Sequence, residues 1–185
     1  MSMQPGVLLG PQPRSPETTD GGFPRVPAYG SGPSGWQGSL SEDGIGWIGA
    51  HGGAGATTLA TLFGGTDIGC RWPDAAIGEP AKVMLVGRTN MEGLRAVSRA
   101  LLAMKEGRHP SGMRLKGVVL IADAPGSLPA PLTSRIRLIR SIAPVHRVPW
   151  IPSYRLGEAP KKLPRQLIRL GDVVDTRHTS ARGGR

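Results

Sequence analysis

The chain has 185 residues, a single cysteine and, over residues 44–185, 21 basic against nine acidic side chains. One cysteine excludes an intrachain disulfide, and the positive surplus favours an anionic partner such as nucleic acid, a nucleotide, an acidic protein or an anionic lipid. No apolar run reaches the roughly 18 residues of a membrane helix and no signal-peptide pattern begins the chain, so we expect a cytoplasmic protein without a membrane span.

The first 43 residues contain seven prolines and eight glycines but few large apolar side chains. Such a segment buries too little apolar surface to offset the entropy that ordering it would cost. We therefore predict a disordered tail over residues 1–43, an α/β domain over residues 44–175 and a basic tail over residues 176–185.

Apolar runs and helical periodicities alternate within the domain. Short buried strands are predicted at residues 45–50, 83–86, 117–122 and 145–151. Helices are predicted at residues 57–63, 91–104, 132–142 and 164–174. Thr89 or Asn90 can cap the second of these helices, and residues 66–80 are expected to be irregular. The alternation predicts a small parallel sheet flanked by helices.

A glycine-rich turn over residues 49–58 separates the first predicted strand from the first predicted helix. Glycines let successive backbone N–H groups approach phosphate oxygens, and the helix start adds the positive end of its dipole. A hydroxyl in the first helical turn can ligate magnesium. The turn therefore predicts a phosphate-binding loop, formed by Gly52, Gly53, Ala54, Gly55, Ala56, Thr57 and Thr58.

From His51 to Thr58 the turn resembles the deviant Walker A motif of the MinD/ParA family, which reads Lys-Gly-Gly-x-Gly-Lys-Thr-Thr. The later strands follow in the family's order, so the resemblance covers about residues 44–160. It implies a reduced P-loop NTPase-like fold, binding of ATP or ADP with magnesium, and a role in DNA partitioning, a mobile element or a secretion machine. Thr57 stands at the magnesium-ligating threonine, and Asp67 is a candidate remnant of the first acidic site.

Both lysines of that motif are missing, because His51 and Ala56 occupy their positions. The phosphate-loop lysine neutralises charge on the transferred phosphoryl group, which an alanine cannot do. A histidine could replace a lysine only when protonated, and a free histidine is mostly neutral near pH 7. We expect nucleotide binding with little or no hydrolysis. Two alternatives stay open: a turn with a purely structural role, and a weak ATPase that uses substitute groups.

Arginines are interleaved with the apolar positions of two predicted helices. The candidates for a nucleic-acid or partner surface are Arg95, Arg99, Arg135, Arg137 and Arg140. No sequence-reading DNA motif is present, so any DNA contact would be made through phosphates. A basic binding module with a dead nucleotide site is therefore the second hypothesis. For Asp123, which ends a predicted strand, a turn or capping role is favoured over metal binding.

Overall fold

A computed structural model describes residues 39–156, 158, 160 and 162–174 of the protein. The predicted basic tail over residues 176–185 lies outside the described residues. The same is true of residues 1–38 of the predicted N-terminal tail. All structural statements below concern the described part of the chain.

Five strands of the described residues form one sheet. Their bounds are β1 Gly46–Gly49, β2 Thr66–Gly69, β3 Lys82–Arg88, β4 Arg114–Ile121 and β5 Val145–Val148. The strands lie in the order β2-β1-β3-β4-β5, and every neighbouring pair is parallel. The predicted α/β class, with a parallel sheet flanked by helices, is thereby confirmed.

Helices cover both faces of the sheet. Their bounds are α1 Ala56–Phe63, α2 Met91–Lys105, α3 Ala130–Arg140, α4 Pro152–Arg155 and α5 Arg165–Val174, with a 3₁₀ turn at Ala75–Ile77. Apolar side chains of α2 and α3 form one core, and those of α1 and α5 form a second core on the opposite face. None of the described helices is both long enough and apolar enough to cross a membrane.

The sequence of the central strand β3 is continuously apolar because both faces of this strand are buried. Val83 and Leu85 lie in the core beneath α2 and α3, whereas Met84 and Val86 lie in the core beneath α1 and α5. Successive side chains of a strand point to opposite faces. A strand covered on both faces therefore needs apolar residues at every position.

Three predicted segments differ most from the structure. Residues 66–80 are not irregular throughout, because Thr66–Gly69 forms the edge strand β2. That strand is only four residues long and buries only Ile68, so it carries no apolar pattern that could predict it. The last predicted strand ends early, at Val148, and Pro149 follows it. The helix predicted at residues 132–142 spans Ala130–Arg140 instead, so Ile142 lies beyond it and is 61% exposed.

The segment before Gly44 also packs on the domain. Leu40 is only 6% exposed, and the backbone of Ser41 bonds to that of Glu79 and Ala81 at 2.8 and 2.7 Å. The carbonyl of Glu42 accepts a hydrogen bond from Lys82 Nζ at 2.8 Å. The folded domain therefore begins within the last residues of the predicted tail.

Candidate functional site

The candidate site lies at the carboxyl edge of the sheet, where the chain leaves two neighbouring strands in opposite directions. After β1 the chain passes through α1 to β2, on one side of β1. After β3, which pairs with the other side of β1, it passes through α2 to β4. The two helices cover opposite faces of the sheet. A crevice opens outside the strand ends at such a switch point, and open α/β sheets bind their ligands there.

The glycine-rich loop crosses this switch point. Gly53 and Gly55 have φ angles of 71° and 101°, a region that residues with a side chain rarely adopt. A Cβ at Gly55 would also lie 2.7 Å from Ile121 Cδ1. Gly52 needs glycine for neither reason, because its φ is not positive and no described atom lies within 4 Å of a Cβ placed there. The space beside Gly52 is therefore open to a ligand.

The loop and the start of α1 carry backbone N–H groups without protein acceptors. Gly55 caps α1, yet no described side chain accepts a hydrogen bond there and the first turn contains no acidic residue. Apart from Ala54 N, which donates to His51 O at 3.3 Å, no loop amide from Gly52 to Thr58 has an acceptor among the described residues. Unpaired N–H groups at a helix start form an anion site together with the helix dipole.

Thr57 and Asp67, the two residues predicted to hold magnesium, are in contact. Thr57 Oγ1 donates to Asp67 Oδ2 at 2.5 Å, and the other carboxylate oxygen accepts from Gly69 N at 3.0 Å. The pair joins the first turn of α1 to the edge strand β2. A hydroxyl and a carboxylate supply oxygen ligands of the kind magnesium prefers. No group of three or more His, Cys, Asp or Glu residues in the described chain could hold a metal ion by itself.

Both ring nitrogens of His51 are engaged by backbone groups. Nε2 accepts a hydrogen bond from the N–H of Arg88 at 3.1 Å, and Nδ1 lies 2.8 Å from Gly52 O. An accepting Nε2 carries no proton, so Nδ1 must be the donor and the ring is neutral in this arrangement. His51 therefore ties the loop to β3 as an uncharged group. It does not supply the positive charge of the lysine whose position it occupies.

Arg88, which sequence reasoning missed, brings a positive charge to the loop. It is the last residue of β3, and its Nε donates to Gly53 O at 3.1 Å while Nη1 donates to Ala122 O at 3.4 Å. No described carboxylate lies within ion-pair distance of it. The only signal in the sequence is a basic residue two positions after the strand predicted at residues 83–86. That signal gains meaning only once β3 is known to lie beside β1.

Three cavities meet at Arg88. The loop cavity, of about 310 Å³, is lined by Gly53–Thr58 together with Asp67 and Cys70. The aromatic cavity, of about 160 Å³, is lined by Trp150, Tyr154 and apolar side chains of α1, and shares Gly55 and Thr58 with the loop cavity. The third, the acidic cavity of about 400 Å³, is lined by His51, Asn90, Glu92 and Asp123 on the α2 side. Polar and apolar compartments thus lie side by side.

Two residues named from the sequence place no polar side chain in the loop cavity. Ala56 is 7% exposed, and its methyl group lies in the core beneath α1. Asp123 does not line the cavity that holds Thr57 and Asp67. Its backbone N–H donates to Thr89 Oγ1 at 3.1 Å, which fits a role in the turn after β4.

The thiol of Cys70 lies beside the same cavity. Burial raises its pKa, and the nearby negative charge of Asp67 raises it further. The thiol is therefore less ionised than a free cysteine, whereas a reactive cysteine needs a lowered pKa. Cys70 is best regarded as a lining residue of the loop cavity.

The predicted partner surface lies apart from the three cavities at Arg88. None of those cavities is lined by its five members, Arg95, Arg99, Arg135, Arg137 and Arg140. On α2, Glu92 Oε2 lies 4.0 Å from Arg95 Nη1 and Glu92 Oε1 lies 3.3 Å from Arg99 Nη2, so the charges of the two arginines are partly balanced.

The three arginines of α3 differ in exposure. Arg137 and Arg140 are exposed, and Arg135 is half-buried. Residues two apart differ by about 200° around a helix. Arg135 and Arg137 therefore lie on opposite flanks of the buried side, and the three arginines do not share one face.

Comparisons with protein-family models, with curated proteins and with solved structures found no match to this chain.

Proposed function

We propose that this chain is a degenerate relative of the MinD/ParA proteins that binds a nucleotide with magnesium and turns it over slowly or not at all. It would act as an accessory or regulatory subunit of a DNA-partitioning, mobile-element or secretion machine, as the resemblance implies. The observation that carries the proposal is the set of unpaired amides at the start of α1, next to the Thr57–Asp67 pair.

The surroundings of the loop support a nucleotide over a simple anion. The loop cavity offers amide donors for phosphate oxygens and two oxygen ligands for magnesium. The aromatic cavity, which shares Gly55 and Thr58 with it, offers Trp150 and Tyr154 to a flat apolar ring. A ligand with a charged end and an aromatic end fits two such neighbouring compartments.

Slow turnover follows from the residue at position 56. The methyl group of Ala56 is buried and carries no charge, so nothing at that position can neutralise charge on a transferred phosphoryl group. The neutral ring of His51 does not replace it. Binding needs only the amides, the magnesium ligands and an apolar compartment, so it can persist where hydrolysis is lost.

Calorimetric titration with ATP and ADP, with and without magnesium, tests the proposal when turnover is measured alongside. We expect magnesium to tighten binding, and we expect Thr57→Val and Asp67→Asn to abolish that difference. Thr61→Val is the matched control, because Thr61 lies one turn further along α1, where its hydroxyl donates to Thr57 O. A wild-type protein that binds neither nucleotide would refute the proposal.

A second function is favoured by the free charge on α3. Among the described residues, none forms an ion pair with Arg137 or Arg140, and both are exposed. Such a surface would bind duplex DNA weakly and without sequence preference, with a log–log salt slope of about −0.9 per phosphate contact. Replacing both residues by Glu should weaken binding equally for unrelated sequences and flatten that slope. Absence of binding at low salt would favour an acidic protein partner instead.

A further inference from the structure

We propose that Arg88 supplies the positive charge that the loop itself lacks, and that it holds a phosphate group of the ligand against the amides at the start of α1. This inference rests on the function proposed above and names the residue that selects a phosphate-bearing ligand. In the resembled motif the charge comes from the helix that follows the loop. Here it would come from the neighbouring strand.

The position of Arg88 is the first argument. Arg88 is the last residue of β3, which pairs with β1 directly beside the loop. It lines the loop cavity together with the amides from Gly53 to Thr58. It also lines the aromatic cavity. A phosphate placed at the boundary of the two cavities would meet the guanidinium and the helix start together.

The state of the guanidinium is the second argument. The group has five N–H donors, and its hydrogen bonds to described residues go to two backbone carbonyls, those of Gly53 and Ala122. Carbonyl groups orient the side chain but do not neutralise it, and no described carboxylate pairs with it. Glu92 and Asp123 line the acidic cavity together with Arg88, but neither forms an ion pair with it. A half-buried cation without an ion-pair partner gains most from an anionic ligand.

The local backbone holds this arrangement in place. The N–H of Arg88 donates to His51 Nε2, and a Cβ at Gly93 would lie 2.5 Å from the carbonyl oxygen of Arg88. The start of α2 and the loop therefore enclose the backbone of Arg88 from two sides. The side chain is left as the adjustable part that can turn its remaining donors to a ligand.

Calorimetry on the full chain with two probes, ADP and inorganic pyrophosphate, tests the role of Arg88. Because a hydrogen bond to a charged group changes affinity by about tenfold to a hundredfold, Arg88→Gln should weaken both probes by the same factor within that range. Arg88→Lys, which keeps the charge, should recover part of the loss. Arg169→Gln removes the same charge from an exposed position on α5 and should leave both affinities within about twofold.

The outcomes separate this inference from the proposed function. If the wild type binds neither probe, both fail. If the wild type binds and Arg88→Gln binds equally well, only the role of Arg88 fails. It also fails if ADP is weakened and pyrophosphate is not, because the contact would then be to the nucleoside. If Arg88→Gln does not fold, NMR of the wild type replaces it. The side-chain Nε–H resonance of Arg88, assigned by its loss in Arg88→Lys, should shift when pyrophosphate is added. An unshifted resonance overturns the inference.

Discussion

The helices α1 and α2 both begin at the carboxyl edge of the sheet, but their first turns are completed differently. At α2, Asn90 Oδ1 accepts a hydrogen bond from Gly93 N at 2.7 Å, and Glu92 places a negative charge in the first turn. At α1, Gly55 offers no side-chain cap and the first turn has no acidic residue. At the start of α2, side chains of the protein itself supply a hydrogen-bond acceptor and a negative charge. At the start of α1, the N–H groups remain available to an anionic ligand.

The largest effect should come from disturbing the turn that sets the start of α1. Gly55→Ala places a side chain at φ 101°, and its Cβ would lie 2.7 Å from Ile121 Cδ1. The left-handed backbone alone costs about 1–2 kcal/mol, so we expect the free energy of unfolding to fall by about 2–3 kcal/mol in urea denaturation.

Gly52→Ala is the matched control for that variant, because its backbone and surroundings accept a methyl group. It should change stability by less than about 0.5 kcal/mol. Equal losses at both positions would mean that Gly55 does not hold the left-handed conformation on which the open helix start depends.

A smaller effect should come from exchanging the properties of the two helix starts. Asn90→Ala removes the cap of α2 and should lower the free energy of unfolding by about 1 kcal/mol. Thr58→Glu gives the exposed first turn of α1 a negative charge and should raise stability by about 0.3–1 kcal/mol. The same carboxylate should weaken pyrophosphate binding, because its negative charge repels the phosphate groups from the start of α1.

Thermal melts and calorimetry together check this exchange. A Thr58→Glu variant that binds pyrophosphate as tightly as the wild type would show that the start of α1 is not the anion site. An Asn90→Ala variant of unchanged stability would remove the contrast between the two helices.

The smallest expected effect is on the pH dependence of stability, through His146 in β5, away from both helix starts. Burial lowers the pKa of His146 below the ordinary value of 6.5. The unfolded chain therefore binds a proton more readily than the folded one, and stability contributed by the neutral ring is lost as the pH falls below about 6.5. Thermal melts between pH 7.5 and pH 5 should show a shallower decline for His146→Gln than for the wild type. An identical decline would assign the pH dependence to other groups.

Much of the fold could be predicted because it depends on patterns within single segments. Leu94, Val97 and Leu101 recur on one face of α2 and are buried as that periodicity requires. The strands β3 and β4 were visible as continuous apolar runs, and Asn90 was one of two candidate caps. These features are encoded locally, so no knowledge of neighbouring strands was needed.

The candidate site was only partly accessible to sequence reasoning. The loop and the magnesium candidates were named from their residue types, and the structure places Thr57 and Asp67 in contact; their role in binding magnesium stays a prediction. Arg88 was missed because its meaning depends on strand order, and β2 was missed because a four-residue strand with one buried side chain carries no apolar pattern. Leu40 was missed because one apolar residue in a Pro- and Gly-rich segment gives no periodic signal.

The pairing of β1 with β3 also has a consequence for the linkage between ligand and stability. Gly53 and Arg88 lie 35 positions apart but are joined by a hydrogen bond of 3.1 Å, and β1 and β3 belong to two separate runs of consecutive strands and helices, residues 46–69 and residues 82–148. The loop is part of the first run, and Arg88 is part of the second. A ligand held by both would bind only while β1 and β3 stay paired, so by mass action it would stabilise that pairing.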